Sequence, residues 1–82
     1  MNYTIADKIY ECIAKDLCCE ITSITDEDGW NITNGWDSII HISIITNVEK
    51  SFNITIPDEE ISNLTTAKKL IQYVSELLEK ED

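Results

Sequence analysis

The stretch GWDSIIHISIITNVEKSF runs from Gly35 to Phe52 and contains the central predicted helix of this chain. Apolar residues recur along it at three- and four-residue steps, which predicts an amphipathic helix from about Ser38 to Phe52, ending near Asn53. On a helical wheel, the side chains predicted to face the core are Ile44, Ile45, Val48 and Phe52, with His41 on the same arc. The side chains predicted to face outward are Ile39, Ile42, Ser43, Thr46 and Lys50.

Helical spacing also marks the two ends of the chain. The first predicted helix covers residues 3–17, with Thr4 and Asp7 as a capping pair at its start. Its apolar positions are Ile5, Ile9, Cys12, Ile13 and Leu17. The last predicted helix is capped by Thr65 or Thr66. Its apolar positions are Ala67, Leu70, Ile71, Val74, Leu77 and Leu78, and a charged tail follows them.

The two connections around the central helix differ in length. A long polar loop, residues 20–37, precedes the helix. The residues predicted to anchor this loop to the core are Ile24, Trp30 and Ile32. The segment from Ile56 to Glu60 follows, and Pro57 is predicted to be the first residue of a short helix. We therefore expect one all-α domain over residues 1–82, a small four-helix bundle of three long helices and one short one.

The net charge restricts the class of partner. The chain has 16 Asp and Glu against 6 Lys and Arg, a formal charge of -10 at pH 7. Nucleic acid and anionic membrane surfaces would repel such a protein, whereas basic protein surfaces would attract it. The same charge destabilises the folded state by self-repulsion, so added salt is expected to stabilise it.

The cysteines and the hydropathy pattern bear on where the protein works. Cys12, Cys18 and Cys19 are odd in number and lack the spacing of a zinc site, so neither a disulfide framework nor a metal site is predicted. No signal peptide is evident, and no apolar run is long enough to span a bilayer. We therefore expect a reduced, cytoplasmic setting and no membrane insertion.

Ser38 is the main candidate for chemistry, because it lies at or just inside the predicted start of the central helix. The ordinary role of such a serine is to accept a hydrogen bond from a free backbone amide as the helix N-cap. The same free amides and the positive end of the helix dipole would also favour a phosphate esterified to its hydroxyl. Asp37, directly before it, could hold a divalent metal ion or orient the hydroxyl within a modifying enzyme.

Three other kinds of function could also use these residues or this charge: catalysis, calcium binding and inhibition by a small acidic protein. A catalytic group of Ser38, His41 and Asp37 is disfavoured because neighbouring helical positions rarely give triad geometry. A calcium loop at Asp26–Gly29 is disfavoured because Ile24 and Gly35 then occupy positions that need acidic ligands. A small acidic inhibitor without a prosthetic group suits the charge but does not explain the Asp-Ser pair at a helix start.

The residues around Ser38 resemble a known attachment motif. The sequence GWDSI, from Gly35 to Ile39, resembles the phosphopantetheine attachment motif of acyl carrier proteins, with Ile39 in place of the usual leucine. The resemblance continues at family spacing over nearly the whole chain. Its further segments are FNITIPDEE at 52–60, LTT at 64–66 and LIQYV at 70–74.

The resemblance implies a four-helix bundle, acting as a monomer, with no catalysis of its own. A holo-carrier synthase, that is a phosphopantetheinyl transferase, would attach 4'-phosphopantetheine from coenzyme A to Ser38. The thiol of the arm would carry an acyl group as a thioester to loading, condensing and acyltransferase enzymes with basic docking surfaces. The acyl chain would retreat between the helices, and the candidate pocket residues are Ile42, Ile44, Ile45, Val48, Ile56, Ile61 and Leu70.

The central helix departs from the pattern of fatty-acid-synthesis carriers, which usually have several acids there. Glu49 is the single acid between Ser38 and Phe52, and Lys50 stands where glutamate is common. The residues expected to guide modification and partner recognition are Asp37, Ile39, Ile42, Ser43, Thr46, Glu49 and Lys50. This altered face, with Trp36 before Asp37, resembles carriers of specialised polysaccharide, polyketide or aminoacyl pathways. An aminoacyl or peptidyl carrier therefore remains an alternative to an acyl carrier.

Overall fold

A computed structural model describes residues 4–80, with side chains through Glu79. Its elements are α1 (Ile5–Leu17), a 3₁₀ turn (Ile21–Ser23), α2 (Ser38–Phe52), α3 (Asp58–Ile61) and α4 (Ala67–Lys80). Extended pairing within residues 4–80 is limited to one isolated antiparallel bridge, between Gly29 and Thr66. The predicted bundle of three long helices and one short helix is therefore confirmed. Tyr3, the predicted first residue of α1, lies outside the described residues, as do Glu81 and Asp82 of the tail.

α1 begins with the capping pair that the sequence predicts. The Asp7 amide donates to Thr4 Oγ1 at 3.1 Å, and the Thr4 amide donates to Asp7 Oδ2 at 3.2 Å. Two free amides at the helix start are thereby satisfied. The helix ends at Cys18, whose left-handed backbone, with φ of 57°, lets its amide reach back to the last turn.

α2 has the predicted bounds. Its first turn is capped by Asp37, and Asn53 ends it in a left-handed conformation with φ of 55°. The predicted core arc is confirmed for Ile44, Ile45, Val48 and His41, each of which is at most 1% exposed. Phe52 is half-buried and packs against the edge of the same core.

The start of α3 differs by one residue from the prediction. Pro57 precedes the helix as its N-cap, and its carbonyl accepts from the Glu60 amide at 2.9 Å. The expectation that Pro57 is the first helical residue is therefore wrong, because its ψ of 146° is extended. At the start of α4 the cap is Thr66, whose Oγ1 accepts from the Lys69 amide at 3.2 Å.

The long first loop folds back on itself, which changes its anchors. Ile24 is 8% exposed, and Trp30 is half-buried against the core, as predicted. Ile32 is 67% exposed, so its prediction as an anchor is wrong. Amides of Ile32 and Asn31 bond within a turn that leaves Ile32 outside and returns Trp36 to the core. Trp36, at 1% exposed, is the buried aromatic anchor.

The loop also completes the first turn of α4. The carbonyls of Asp26 and Asp28 accept from the amides of Lys68 and Ala67, at 3.1 and 2.9 Å. These bonds satisfy helix-start amides that would otherwise lack partners. Gly29 lies so close to the helix that a Cβ there would be 2.3 Å from the Thr65 carbonyl oxygen. The approach of loop and helix therefore requires glycine.

The core is shared by all three long helices and the loop. Of the predicted apolar positions of α4, Ala67, Leu70 and Val74 are fully buried, while Ile71 and Leu78 pack at the edge. Leu77 is half-buried. None of the helices in the described part of the chain has the length and apolarity needed to cross a bilayer.

Candidate attachment site at the start of α2

Ser38 is exposed and is the first residue of α2. The cap of the helix is Asp37, whose Oδ1 accepts from the Ile40 amide at 2.9 Å. The ordinary role weighed for Ser38, as the N-cap itself, is therefore wrong. Within residues 4–80 the Ser38 hydroxyl has no hydrogen-bond partner. An accessible, uncommitted hydroxyl beside first-turn amides suits a phosphodiester, because those amides and the helix dipole favour an anion.

A groove of about 420 Å³ opens directly beside Ser38, between the start of α2 and α3. We name it the α2–α3 groove, and its lining residues are Trp30, Ser38, His41, Ile42, Asp58, Ile61 and Ser62. Most of its surface is apolar, although a carboxylate, a histidine and two serines are among the lining residues. Such a concave, mostly apolar surface suits a small organic group.

His41, which lines this groove, is bonded through both of its ring nitrogens. Trp36 Nε1–H donates to His41 Nδ1 at 3.0 Å, and His41 Nε2 lies 2.9 Å from the Ile61 carbonyl oxygen. The indole N–H can only donate and the carbonyl can only accept, so the proton of the neutral ring is on Nε2. We call this arrangement the Trp36–His41–Ile61 clamp. The Trp30 ring stacks on His41, with ring centroids 4.9 Å apart.

The predicted acyl-pocket residues fall into two groups. Ile42 and Ile61 line the α2–α3 groove. The remaining five are buried in the core, at most 3% exposed, and none lines the groove: Ile44, Ile45, Val48, Ile56 and Leu70. Sequence reasoning missed Trp30, Asp58 and Ser62 as groove residues, because they come from segments whose contact with α2 has no periodic signal.

The residues predicted to guide recognition are of two kinds, some exposed and some partly buried. Ile39 and Ile42 are exposed, by 78% and 57%, and form an apolar patch beside Ser38. Thr46 and Lys50 are exposed as well, although the Thr46 hydroxyl donates back to the Ile42 carbonyl at 3.0 Å. The outward orientation predicted for these four side chains is confirmed.

The side chains of Ser43 and Glu49 do not point to solvent, because each is hydrogen-bonded to another segment of the chain. The Ser43 hydroxyl donates to Asp16 Oδ1 on α1 at 2.8 Å, so the outward orientation predicted for it is wrong. Glu49 Oε2 accepts from the Ile56 amide at 2.7 Å and thereby holds the chain between α2 and α3. Both side chains are partly buried. A helical wheel could not reveal this, since their partners belong to α1 and to the next connection.

The catalytic group weighed from the sequence is not formed. Both nitrogens of His41 are bonded within the clamp, so neither is available to take a proton from Ser38. A general base must lie within hydrogen-bonding reach of its nucleophile. His41 therefore cannot act as the general base for Ser38 in this arrangement.

Asp26 and Asp28 of the long loop accept hydrogen bonds that hold the loop in place. Asp28 Oδ1 accepts from the Thr33 hydroxyl at 2.7 Å, and its Oδ2 accepts from the Thr25 amide at 2.7 Å. The Thr33 hydrogen bond, opposed by partial burial and assisted by Thr25, holds the pKa of Asp28 below its ordinary value. Asp26 accepts from the Tyr10 hydroxyl. Across residues 4–80 no group of three or more His, Cys, Asp or Glu side chains could hold a metal ion.

Comparison with known families agrees with this geometry. The family model described as phosphopantetheine attachment site matches residues 7–74, which include Ser38, the α2–α3 groove and the clamp. Domains of this family are not catalytic themselves, and they interact with a phosphopantetheinyl transferase and acyl-processing enzymes. A protein without a prosthetic group, such as the acidic inhibitor weighed above, is therefore set aside. The match covers most of the chain, so the protein belongs to the phosphopantetheine attachment site family and is a carrier of covalently attached 4'-phosphopantetheine.

Proposed function

We propose that Ser38 bears the arm, and that the protein carries acyl intermediates as thioesters to partner enzymes of a fatty acid or specialised lipid, polyketide or polysaccharide pathway. The observation that carries the proposal is the exposed, unbonded Ser38 hydroxyl in the first turn of α2, within a chain of this family. The attached group supplies a flexible arm ending in a thiol, which holds the cargo as a thioester.

The chain's own residues prepare the acceptor. Ser38 Oγ attacks the β-phosphorus of coenzyme A, the bond to adenosine 3',5'-bisphosphate breaks, and the hydroxyl proton passes to a base of the transferase. His41 does not take this proton, because its nitrogens are bonded elsewhere. Asp37 fixes the first turn through Oδ1. We propose its second carboxylate oxygen as a ligand for a metal ion that the transferase brings.

The outer face of α2 supports partners that dock mainly by apolar contact. Glu49, the single acid of α2, is bonded to the Ile56 amide, and the exposed side chains of α2 nearest Ser38 are Ile39 and Ile42. The exposed acids near the groove are Asp37, which precedes Ser38, and Asp58 and Glu59 of α3. Partners that bind an acidic α2 would meet few charged side chains on this face, which favours a specialised pathway over fatty acid synthesis.

The chemistry of attachment is the same for an aminoacyl or peptidyl carrier, which remains the second candidate. The open groove with the Asp58 carboxylate in its wall would admit an amino-bearing group as well as an acyl group. The enzyme that loads the thiol distinguishes the two, and the mass of the thioester on protein from its own cells would identify the cargo.

Attachment at Ser38 is tested by intact mass after coexpression with a broad-specificity phosphopantetheinyl transferase. We expect the wild-type chain to gain one 4'-phosphopantetheine and Ser38→Ala to gain none. Ser62→Ala is the matched control, because Ser62 is an exposed serine of the same groove, and it should gain the arm as the wild type does. An unmodified wild type, or a modified Ser38→Ala variant, would contradict the proposal.

A further inference from the structure

The lining of the α2–α3 groove includes His41 and Ile61 of the clamp and none of the core residues predicted as acyl-pocket lining. His41 and Trp36 are each 1% exposed, and their bonds join the loop, α2 and α3 at one point. The five core residues predicted as acyl-pocket lining belong to the buried core cluster.

Entry of a long chain into this core would require several unfavourable changes at once. The His41 ring must leave its place, and this breaks its bonds to Trp36 and to the Ile61 carbonyl. Buried polar groups left without partners are costly, and protein cores are packed too densely to admit extra methylenes without strain. The Trp30 ring stacked on His41 would have to move as well.

We infer that this carrier seats short apolar acyl groups in the α2–α3 groove, against Trp30 and Ile61, and leaves the remainder of longer chains outside the bundle. The inference rests on the proposed attachment at Ser38 and names the class of cargo that the same site protects. It replaces the expectation that the acyl chain retreats among the isoleucines of the core.

The wall of the groove fits cargo of this class. Trp30, Ile42 and Ile61 give an apolar surface next to the attachment point, while Asp58 and Ser62 make part of the wall polar. A short acyl chain gains from apolar contact there, since removing apolar area from water is favourable. A longer chain gains nothing further once it passes the groove, because the clamp closes the route inward.

The test loads Ser38 with acetyl, butyryl, octanoyl or dodecanoyl arms, using a transferase that accepts acyl-coenzyme A. Mass spectrometry confirms each product, and methyl chemical shifts in NMR spectra report where the chain lies. We expect shifts at Ile42 and Ile61 with butyryl, and no shift at Ile44, Ile45 or Leu70 with any chain. The melting temperature should not rise from butyryl to dodecanoyl.

Shifts of the core methyl groups with octanoyl or dodecanoyl, together with a melting temperature that rises with chain length, would overturn the inference. If no arm appears on Ser38, the proposed function fails instead. If the arm appears and the core methyl groups move, the proposed function stands and only this inference fails.

Trp36→Phe tests the clamp itself, because it removes the indole N–H and keeps an aromatic ring in the core. Tyr73→Phe is the matched control, since it alters a half-buried aromatic of α4 that does not line the groove. With octanoyl loaded, core methyl groups should shift in Trp36→Phe and remain unshifted in Tyr73→Phe. If the core methyl resonances are unshifted in both variants, the clamp is not what keeps the octanoyl chain out of the core.

Discussion

At the scale of single residues, Asp37 and Ser38 have separate roles at the start of α2. Asp37 accepts from the Ile40 amide and fixes the start of α2, so the Ser38 hydroxyl remains free. An N-cap contributes about 1 kcal/mol to helix stability. A serine that supplied this bond itself would lose it on modification, whereas here the helix start keeps its cap when the hydroxyl is esterified.

Gly29 is the residue at which a single added carbon should harm the fold most directly. Gly29→Ala would place a Cβ 2.3 Å from the Thr65 carbonyl oxygen, where the loop meets α4. We expect a loss of roughly 3 kcal/mol in the free energy of unfolding, measured in urea, as for a strained overpacked site. Asn34→Ala, at an exposed position of the same loop, should stay within about 0.5 kcal/mol of wild type. Equal stability of the two variants would refute the close approach.

At the scale of elements, α1 and α2 are joined by a carboxylate with two donors. Asp16 Oδ1 accepts from the Ser43 hydroxyl, and Asp16 Oδ2 accepts from Asn47 Nδ2, both at 2.8 Å. A typical intramolecular hydrogen bond contributes about 1 kcal/mol to stability. This pair of bonds fixes the rotation of α2 and therefore which face presents Ile39 and Ile42.

A double-mutant cycle tests this junction. Asp16→Ala should lower the free energy of unfolding by about 2 kcal/mol, because it removes the acceptor of both bonds. Ser43→Ala should cost about 1 kcal/mol in the wild-type background and close to nothing once Asp16 is absent. Chemical denaturation of the four proteins gives the coupling energy. Additive losses, with no coupling between the two positions, would count against a direct bond.

The bond between α1 and the long loop predicts a pH dependence. The pKa of Tyr10 is raised to about 12, first by its hydrogen bond to Asp26 and then by burial and nearby acids. A folded-state pKa above the unfolded value of 10.0 means that this stabilisation is full below pH 10 and is lost as pH rises through 12.

The measurement is the free energy of unfolding of wild type and Tyr10→Phe across that alkaline range. Wild type should lose more stability than Tyr10→Phe, and lysine deprotonation affects both proteins alike. The tyrosinate absorbance of the folded wild type should also show one late ionisation that Tyr10→Phe lacks. Parallel losses in the two proteins would contradict the assignment.

At the scale of the whole molecule, the helices were predictable from the sequence and the contacts between segments were not. Helical spacing and caps gave α2 its bounds, since both signals are local. The loop anchors required knowledge of the turn that places Ile32 outside and Trp36 inside. The clamp joins residues from three segments, and no periodic pattern encodes such a contact. The attachment role of Ser38 stays a prediction that the geometry supports.

The charge of -10 acts on the whole molecule as well. Like charges repel in the compact state, and salt screens that repulsion over about 10 Å at 0.1 M. We expect sodium chloride to raise the melting temperature in calorimetry. A non-electrolyte such as glucose at the same osmolality should raise it less. An unchanged or lower melting temperature in salt would show that self-repulsion does not limit stability.

The most direct test of the account is the location of the arm within α2. Fragment-ion mass spectrometry of the peptide that contains Ser38, Ser43 and Ser51, taken from protein of its own cells, distinguishes the three serine hydroxyls. We expect the peptide to carry a single 4'-phosphopantetheine, attached to Ser38. An arm on Ser43 or Ser51, or a peptide that is never modified, would contradict it.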